Sequence, residues 1–165
     1  VLIHAAVGGV GHLVVQSAGA GGPYVIGTAG GGKHDLPREL GAGEPVDYRT
    51  ADFAARANDV DVVPDTLGGD VSTRSLDVLR PGGTLVTIVP TGFEDDAGNA
   101  AEPGVRLAVL LVEADRAGMR AVADLVAEGK LRLHVDAAFP LAEAGRAHVL
   151  GETGRTTGRI VLTVR

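Results

Sequence analysis

Six residues near the start of the chain, Ala6-Val7-Gly8-Gly9-Val10-Gly11, have the types and spacing to hold an anion. They follow a short apolar run, 1–5, and precede a segment in which Val10, Leu13, Val14 and Ala18 recur at helical spacing. Set against the dinucleotide fingerprint GxGxxG, Ala6 replaces the first glycine, Gly8 is the second and Gly11 the third. Without a side chain at position 8, the backbone can approach a pyrophosphate. Gly11 lets helix and strand pack closely, and the amides near Gly9 and Val10 point out of the helix N-terminus toward the anion. A tight strand-to-helix turn without a ligand would also account for the glycines. The strand before them, the helix after them and the long α/β series that follows favour a dinucleotide.

The second strand is expected over Tyr24–Thr28, and its end bears on which dinucleotide. A carboxylate there would hold the adenosine ribose hydroxyls and favour NAD. Here the run is Gly27-Thr28-Ala29-Gly30, and no carboxylate appears before Asp35. Lys33, one of two lysines in the chain, follows a glycine run that gives the loop room, and Tyr48 stands just past the third strand. A missing acid, a flexible ammonium and a phenol hydroxyl suit a 2′-phosphate, so NADPH is the expected cofactor. A solvated surface lysine is the plainer reading of Lys33.

Other reactive residues form no recognisable constellation. The histidines at positions 4, 12, 34, 134 and 148 lack metal spacing and are read as packing or surface groups. Asp61, Asp65 and Asp70 cluster near the fourth strand, where loop capping is expected rather than paired-carboxylate chemistry. Ser17, Ser72 and Ser75 lack a nucleophile-elbow context. There are no cysteines, so neither disulfides nor thiolate metal ligands are available. A net charge of −6 argues against nucleic acid or an anionic membrane as the main partner. No apolar run reaches the roughly 18 residues of a membrane helix, and a cytoplasmic address is the default.

The elements that must position these residues alternate along the chain. Strands are expected at Val1–Ala5, Tyr24–Thr28, Val46–Asp47, Val60–Asp65, Leu85–Val89, Val105–Val112 and Ile160–Val164. Helices are expected from Val10, over Asp35–Leu40, around Phe53–Ala57, over Ser72–Leu79, from Asp115 to Glu128 and over Leu141–Leu150. Pro81-Gly82-Gly83 reads as a turn and Thr91–Gly104 as a mobile loop. The alternation predicts a doubly wound α/β fold of the Rossmann type, a parallel six-stranded sheet with helices on both faces. Residues 1–140 would form it, and 141–165 would add a C-terminal helix and strand. Pro64 is out of place in a central strand because it cannot donate to the ladder.

HAAVGGVG, GTAGGGKHD, RELGA, VDYRT, DTLGG and LRPGGTLVTIV occur in order, followed by AAFPLAEAGRAHVL and TGRIVLTV. Together they resemble the cofactor domain of the medium-chain dehydrogenase/reductase superfamily, in its zinc-independent quinone oxidoreductase (zeta-crystallin-like) branch. The resemblance implies a soluble NADPH-dependent enzyme, commonly a homodimer, that transfers hydride to quinones, enones or related activated carbonyl compounds. It implies that Gly8, Gly9 and Val10 meet the pyrophosphate, and that Thr28, Lys33 and Tyr48 surround the 2′-phosphate and adenosine ribose. Thr66 would lie on the ribose side, Ile88 and Val89 beside the nicotinamide half, and the backbone of Leu111 and Val112 at the carboxamide. Members also carry an N-terminal barrel domain, which is expected to be missing from this chain. The chain starts at Val1 inside a strand-like run and is expected to be a portion of a longer protein. Two other classes fit in part: a dinucleotide-binding module without chemistry, and an S-adenosylmethionine-dependent methyltransferase. The second usually wants an acid where Thr28 stands.

Overall fold

The computed structural model describes residues 1–89 and 104–164. The expected Thr91–Gly104 loop lies outside the described residues except for Gly104. Eight strands and five α-helices alternate: β1 (Leu2–Ile3), α1 (Gly11–Ala20), β2 (Ile26–Ala29), α2 (Asp35–Glu39), β3 (Glu44–Asp47), β4 (Val60–Asp65), α3 (Gly69–Leu76), β5 (Leu79–Thr87), β6 (Arg106–Val109), α4 (Arg116–Ala127), β7 (Val135–Pro140), α5 (Ala144–Glu152) and β8 (Arg159–Thr163).

Every strand pairing is parallel. The ladders run β1-β2-β3 and β4-β5-β6, and β1 lies against β4 without a ladder between them. Six strands therefore stand in the Rossmann order 3-2-1-4-5-6, with the reversal of direction between β1 and β4. The side-chain alternation of β1 and β2 makes the arrangement two-faced. Leu2 and Ile26 enter one buried cluster with Phe53, Val63, Leu76 and Leu85. Their neighbours Ile3 and Val25 enter another, with Val15 of α1 and Leu40 beyond α2. Successive residues of a strand point to opposite faces, so α1 and α2 cover one face and α3 the other.

Several boundaries differ from expectation for physical reasons. The buried face of α1 is Gly11, His12, Val15 and Gln16, while Val10 is exposed. The apolar stripe misleads because a polar residue is inside. The Gln16 amide donates to the carbonyls of His12 (2.8 Å) and Arg132 (3.0 Å) and accepts the Arg132 N–H at 2.8 Å. The helix expected over Ser72–Leu79 starts earlier, at Gly69, and ends at Leu76, so Leu79 opens β5. Pro81-Gly82-Gly83 is an irregularity within β5 rather than a turn before it: the register against β4 jumps from Val60↔Leu79 to Val62↔Thr84. Pro64 is tolerated in β4 because the flank toward β1 carries no ladder.

The strand β7 was not expected. It pairs with β8 across α5, forming a parallel βαβ unit at the C-terminal end. This unit is tied to the glycine loop. The Gly158 N–H donates to the Val7 carbonyl at 2.7 Å, and the Arg159 N–H to the His134 carbonyl at 2.9 Å. Gly158 has φ +70°, and a Cβ there would lie 2.2 Å from the His134 oxygen. Gly158→Ala should therefore lower stability by about 1–3 kcal/mol. Gly145→Ala in α5, where a Cβ meets nothing within 4 Å, should raise it by about 0.4–1 kcal/mol. Urea midpoints check both; a Gly158→Ala midpoint at or above wild type would contradict the tight junction.

Candidate functional site

The carboxyl ends of β1 to β6 share one edge, and the segments leaving them build the site. After β1 the chain turns sharply. Ala5 takes a left-handed φ of 47°, and its carbonyl accepts the Gly8 N–H at 2.7 Å. The same carbonyl lies beneath the first turn of α1, where a Cβ at Gly11 would stand 2.1 Å from the oxygen. This is the close helix–strand approach expected of the third glycine. Ala6 is fully buried and donates its N–H to the Thr28 carbonyl at 2.9 Å. Its methyl group faces Gly27, where a Cβ would come within 2.9 Å of it. Ala6 therefore shapes the loop from below. Gly8 and Gly9 are half-buried and Val10 is exposed.

Beside this loop opens a cavity of about 730 Å³ between the ends of β1 to β4, with His4, Thr28, Tyr48, Arg49, Leu67 and Arg74 in its wall. Its floor is a hydrogen-bonded chain. The Ser75 hydroxyl donates to the Val71 carbonyl (2.6 Å), leaving its oxygen to accept from His4 Nε2 at 2.9 Å. That assigns the His4 proton to Nε2, so Nδ1 accepts from the Thr28 hydroxyl at 3.2 Å. The Thr28 oxygen in turn accepts the Ala5 N–H at 3.3 Å. Thr28 is buried, its proton is committed inward, and it offers a ligand only an acceptor. His4 also meets the Phe53 ring edge-on at 4.6 Å between centroids. Burial, more than any neighbouring charge, lowers its pKa to about 4; Asp65 opposes the shift and Arg74 adds to it.

Asp65 anchors the far wall. It is buried and accepts the N–H groups of Leu67 and Gly68, each at 3.0 Å, and the Thr87 hydroxyl at 2.7 Å. Asp61 pairs instead with Arg80 at 2.6 Å, and Asp70 with Arg74 at 4.0 Å. Asp65 thus caps the loop as expected, whereas Asp61 and Asp70 form surface ion pairs instead. Thr66 is half-buried after β4, Ile88 exposed and Val89 half-buried after β5, and Leu111 well exposed beyond β6. Among the described residues, no three of His, Cys, Asp and Glu come together to hold a metal ion. Nor is any helix long and apolar enough to cross a membrane.

Of the residues expected to bind a ligand, Thr28 and Tyr48 line the cavity, with Gly30 at its rim beside Arg49. Lys33 sits on the same edge, but its ammonium donates to the carbonyls of Arg155 and Thr156. The sequence reading missed His4, Arg49, Phe53 and Arg74. The signal for Arg49 was its place directly after Tyr48. For His4 there was none, because its partner Ser75 lies 71 positions away.

The zinc-binding dehydrogenase profile matches residues 40–162. The chain belongs to that family. Within the medium-chain dehydrogenase/reductase superfamily it is a quinone-oxidoreductase-like cofactor domain. It is 36 % identical to a 2-haloacrylate reductase of Burkholderia sp. over 98 % of this chain and 54 % of that protein. It is 35 % identical to a quinone oxidoreductase of Pseudomonas aeruginosa over 98 % and 55 %. The structure of a quinone oxidoreductase from Coxiella burnetii superposes with a TM-score of 0.93 at 37 % identity, covering 99 % of this chain and 52 % of that one. An Escherichia coli quinone oxidoreductase complexed with NADPH does so at 0.80 and 28 %, covering 99 % and 56 %. The chain spans about half the length of these relatives.

The buried neutral His4 has a consequence for stability. Its folded pKa of about 4 lies below the unfolded value of 6.5, so the unfolded chain binds the proton more readily. The stabilisation is complete above pH 6.5 and is lost as pH falls toward 4, by about 2 kcal/mol at pH 5. Urea midpoints at pH 7 and pH 5 should separate less in His4→Gln than in wild type. An unchanged separation would mean that His4 is not the group responsible.

Proposed function

We infer that this chain binds NADPH and forms the cofactor-holding part of an oxidoreductase that reduces a quinone, an enone or a related activated carbonyl compound. The observation that carries the reading is the pinched Ala5–Gly11 loop opening onto a cavity at the sheet's point of reversal, with no carboxylate at the end of β2. The Escherichia coli neighbour complexed with NADPH adds support. Gly8, Gly9 and Val10 face the pyrophosphate with backbone amides. Thr28, Gly30, Lys33 and Tyr48 border the phosphorylated ribose, and Thr66 its inner side. Ile88, Val89 and Leu111 edge the nicotinamide half, and Ala6 holds the loop's shape.

When bound, the dihydronicotinamide supplies the hydride, and the acceptor takes a proton to complete its reduction. The chain's own groups bind and orient, which is most of what hydride transfer asks of a protein. No zinc takes part in this reading. A homodimer, a cytoplasmic setting and a small-molecule substrate belong to the same proposal. So does a division into a Rossmann domain, 1–140, and a C-terminal segment, 141–165, whose strand β8 pairs back onto β7 at the end of the first.

Calorimetric titration tests the cofactor. NADPH should bind at least about tenfold more tightly than NADH, the equivalent of about 1.4 kcal/mol. A preference for NADH would overturn the reading of the β2 edge, and binding of neither would overturn the dinucleotide site. A polypeptide of residues 1–165 taken alone should turn over quinones or enones far more slowly than the full-length relatives. It spans about half of them, and acceptor contacts supplied by the other half would carry the proximity contribution of about 7–11 kcal/mol. Rates equal to theirs would show that this chain holds the acceptor unaided.

A further inference from the structure

We propose that Arg49 is the residue that selects a 2′-phosphorylated adenosine, in the place the sequence suggests for Lys33. The proposal rests on the NADPH reading above and names the group that sets its specificity.

Four observations converge on this arginine. The pairing of Ala29 with Asp47 brings the end of β2 beside the end of β3, so Gly30 lies next to Tyr48 and Arg49. A Cβ at Gly30 would stand 3.6 Å from the Arg49 Cζ, so the guanidinium overlies a backbone with no side chain between. Arg49 lines the cavity together with Thr28 and Tyr48. Its backbone is fixed by the Asp47 carboxylate, which accepts the Arg49 N–H at 3.0 Å.

Charge separates Arg49 from the other cations at this edge. Arg74 shares the cavity wall, but it is paired with Asp52 at 2.5 Å and Asp70 at 4.0 Å and lies over the Phe53 ring. The Lys33 ammonium is held by the carbonyls of Arg155 and Thr156. Among the described residues, Arg49 has no carboxylate within ion-pair distance. Its cation lies over the face of Tyr48, 5.6 Å from the ring centroid, so little must be given up when it turns to an anion. A guanidinium also offers two parallel donors to a phosphate, whereas an ammonium offers a point charge.

Calorimetry on wild type, Arg49→Ala, Arg49→Lys and Lys33→Ala tests this, with NADPH, NADH and adenosine 2′-monophosphate as probes. Arg49 is exposed, and a melting curve for each variant checks that it folds. Arg49→Ala should weaken NADPH and adenosine 2′-monophosphate by about 10- to 150-fold, the range of a charge-assisted contact, and leave NADH within about threefold of wild type. Arg49→Lys should restore part of the loss. Lys33→Ala should shift NADPH and NADH alike. A selective NADPH loss in Lys33→Ala with none in Arg49→Ala overturns the assignment, as does an equal loss of both dinucleotides in Arg49→Ala. If wild type binds both dinucleotides without preference, the assignment falls and the dinucleotide site stands. If wild type binds neither, both fall.

Discussion

The Ala5 carbonyl lies directly under the first turn of α1, and the glycine at position 11 leaves it room. A methyl group there would stand 2.1 Å from the oxygen, well inside any van der Waals contact. Because the helix starts so close to β1, Gly8 can close a tight turn on the same carbonyl and the His12 ring can reach the Gly8 carbonyl at 2.7 Å. The loop is held in shape from inside the fold, before any ligand arrives. Among the described residues no backbone carbonyl takes the N–H of Gly9 or Val10, and free donors at a helix N-terminus are what an anion there requires.

From that loop, contacts spread to every part of the site. Val7 gives its carbonyl to Gly158, and Gln16 clasps the backbone of Arg132 on both sides. Lys33 adds a third clasp on the 155–156 carbonyls. The β7–α5–β8 unit therefore rests on the same two segments, the β1–α1 loop and the β2–α2 loop, that border the cofactor edge. By contrast, α4 has no buried residue, and Met119, Val122 and Val126 stand exposed along it. The unit at the C-terminal end is anchored by hydrogen bonds to backbone rather than by apolar burial. Such contacts are directional and depend on exact spacing, and so the Gly158 junction tolerates little.

Legibility in the sequence followed the range of the interactions. The glycine loop is local, and its strand-turn-helix context was readable from spacing alone. The parallel order followed from alternation. The buried face of α1 was not readable, because Gln16 is inside by virtue of Arg132, 116 positions away. The strand β7 escaped because VDAAFP has small residues and a terminal proline, and only its partner β8 gives it a reason to extend. Lys33 was read as a free cation because a sequence shows residue type and not what lies across the loop. The cavity floor was invisible for the same reason: His4, Thr28 and Ser75 come from three elements, and their hydrogen bonds define the site only once β1, β2 and α3 have met.

A chain with a net charge of −6 presents an apparent obstacle to a polyanionic ligand, and the site's composition shows how it is met. At physiological ionic strength, charges more than about 8 Å apart in solvent are largely screened, so the overall balance weighs little against the groups in contact. Within the cavity, burial keeps His4 neutral, Arg74 is matched by its aspartates, and the Asp65 carboxylate is saturated by two N–H groups and a hydroxyl. At the rim the Asp47 carboxylate is turned to the Arg49 N–H, the Lys33 ammonium is held by two carbonyls, and the Arg49 guanidinium has no carboxylate partner among the described residues. The wall is electrically quiet, and in the binding mode proposed above Arg49 supplies the attraction at the rim while the neutral floor and the glycine loop set the shape.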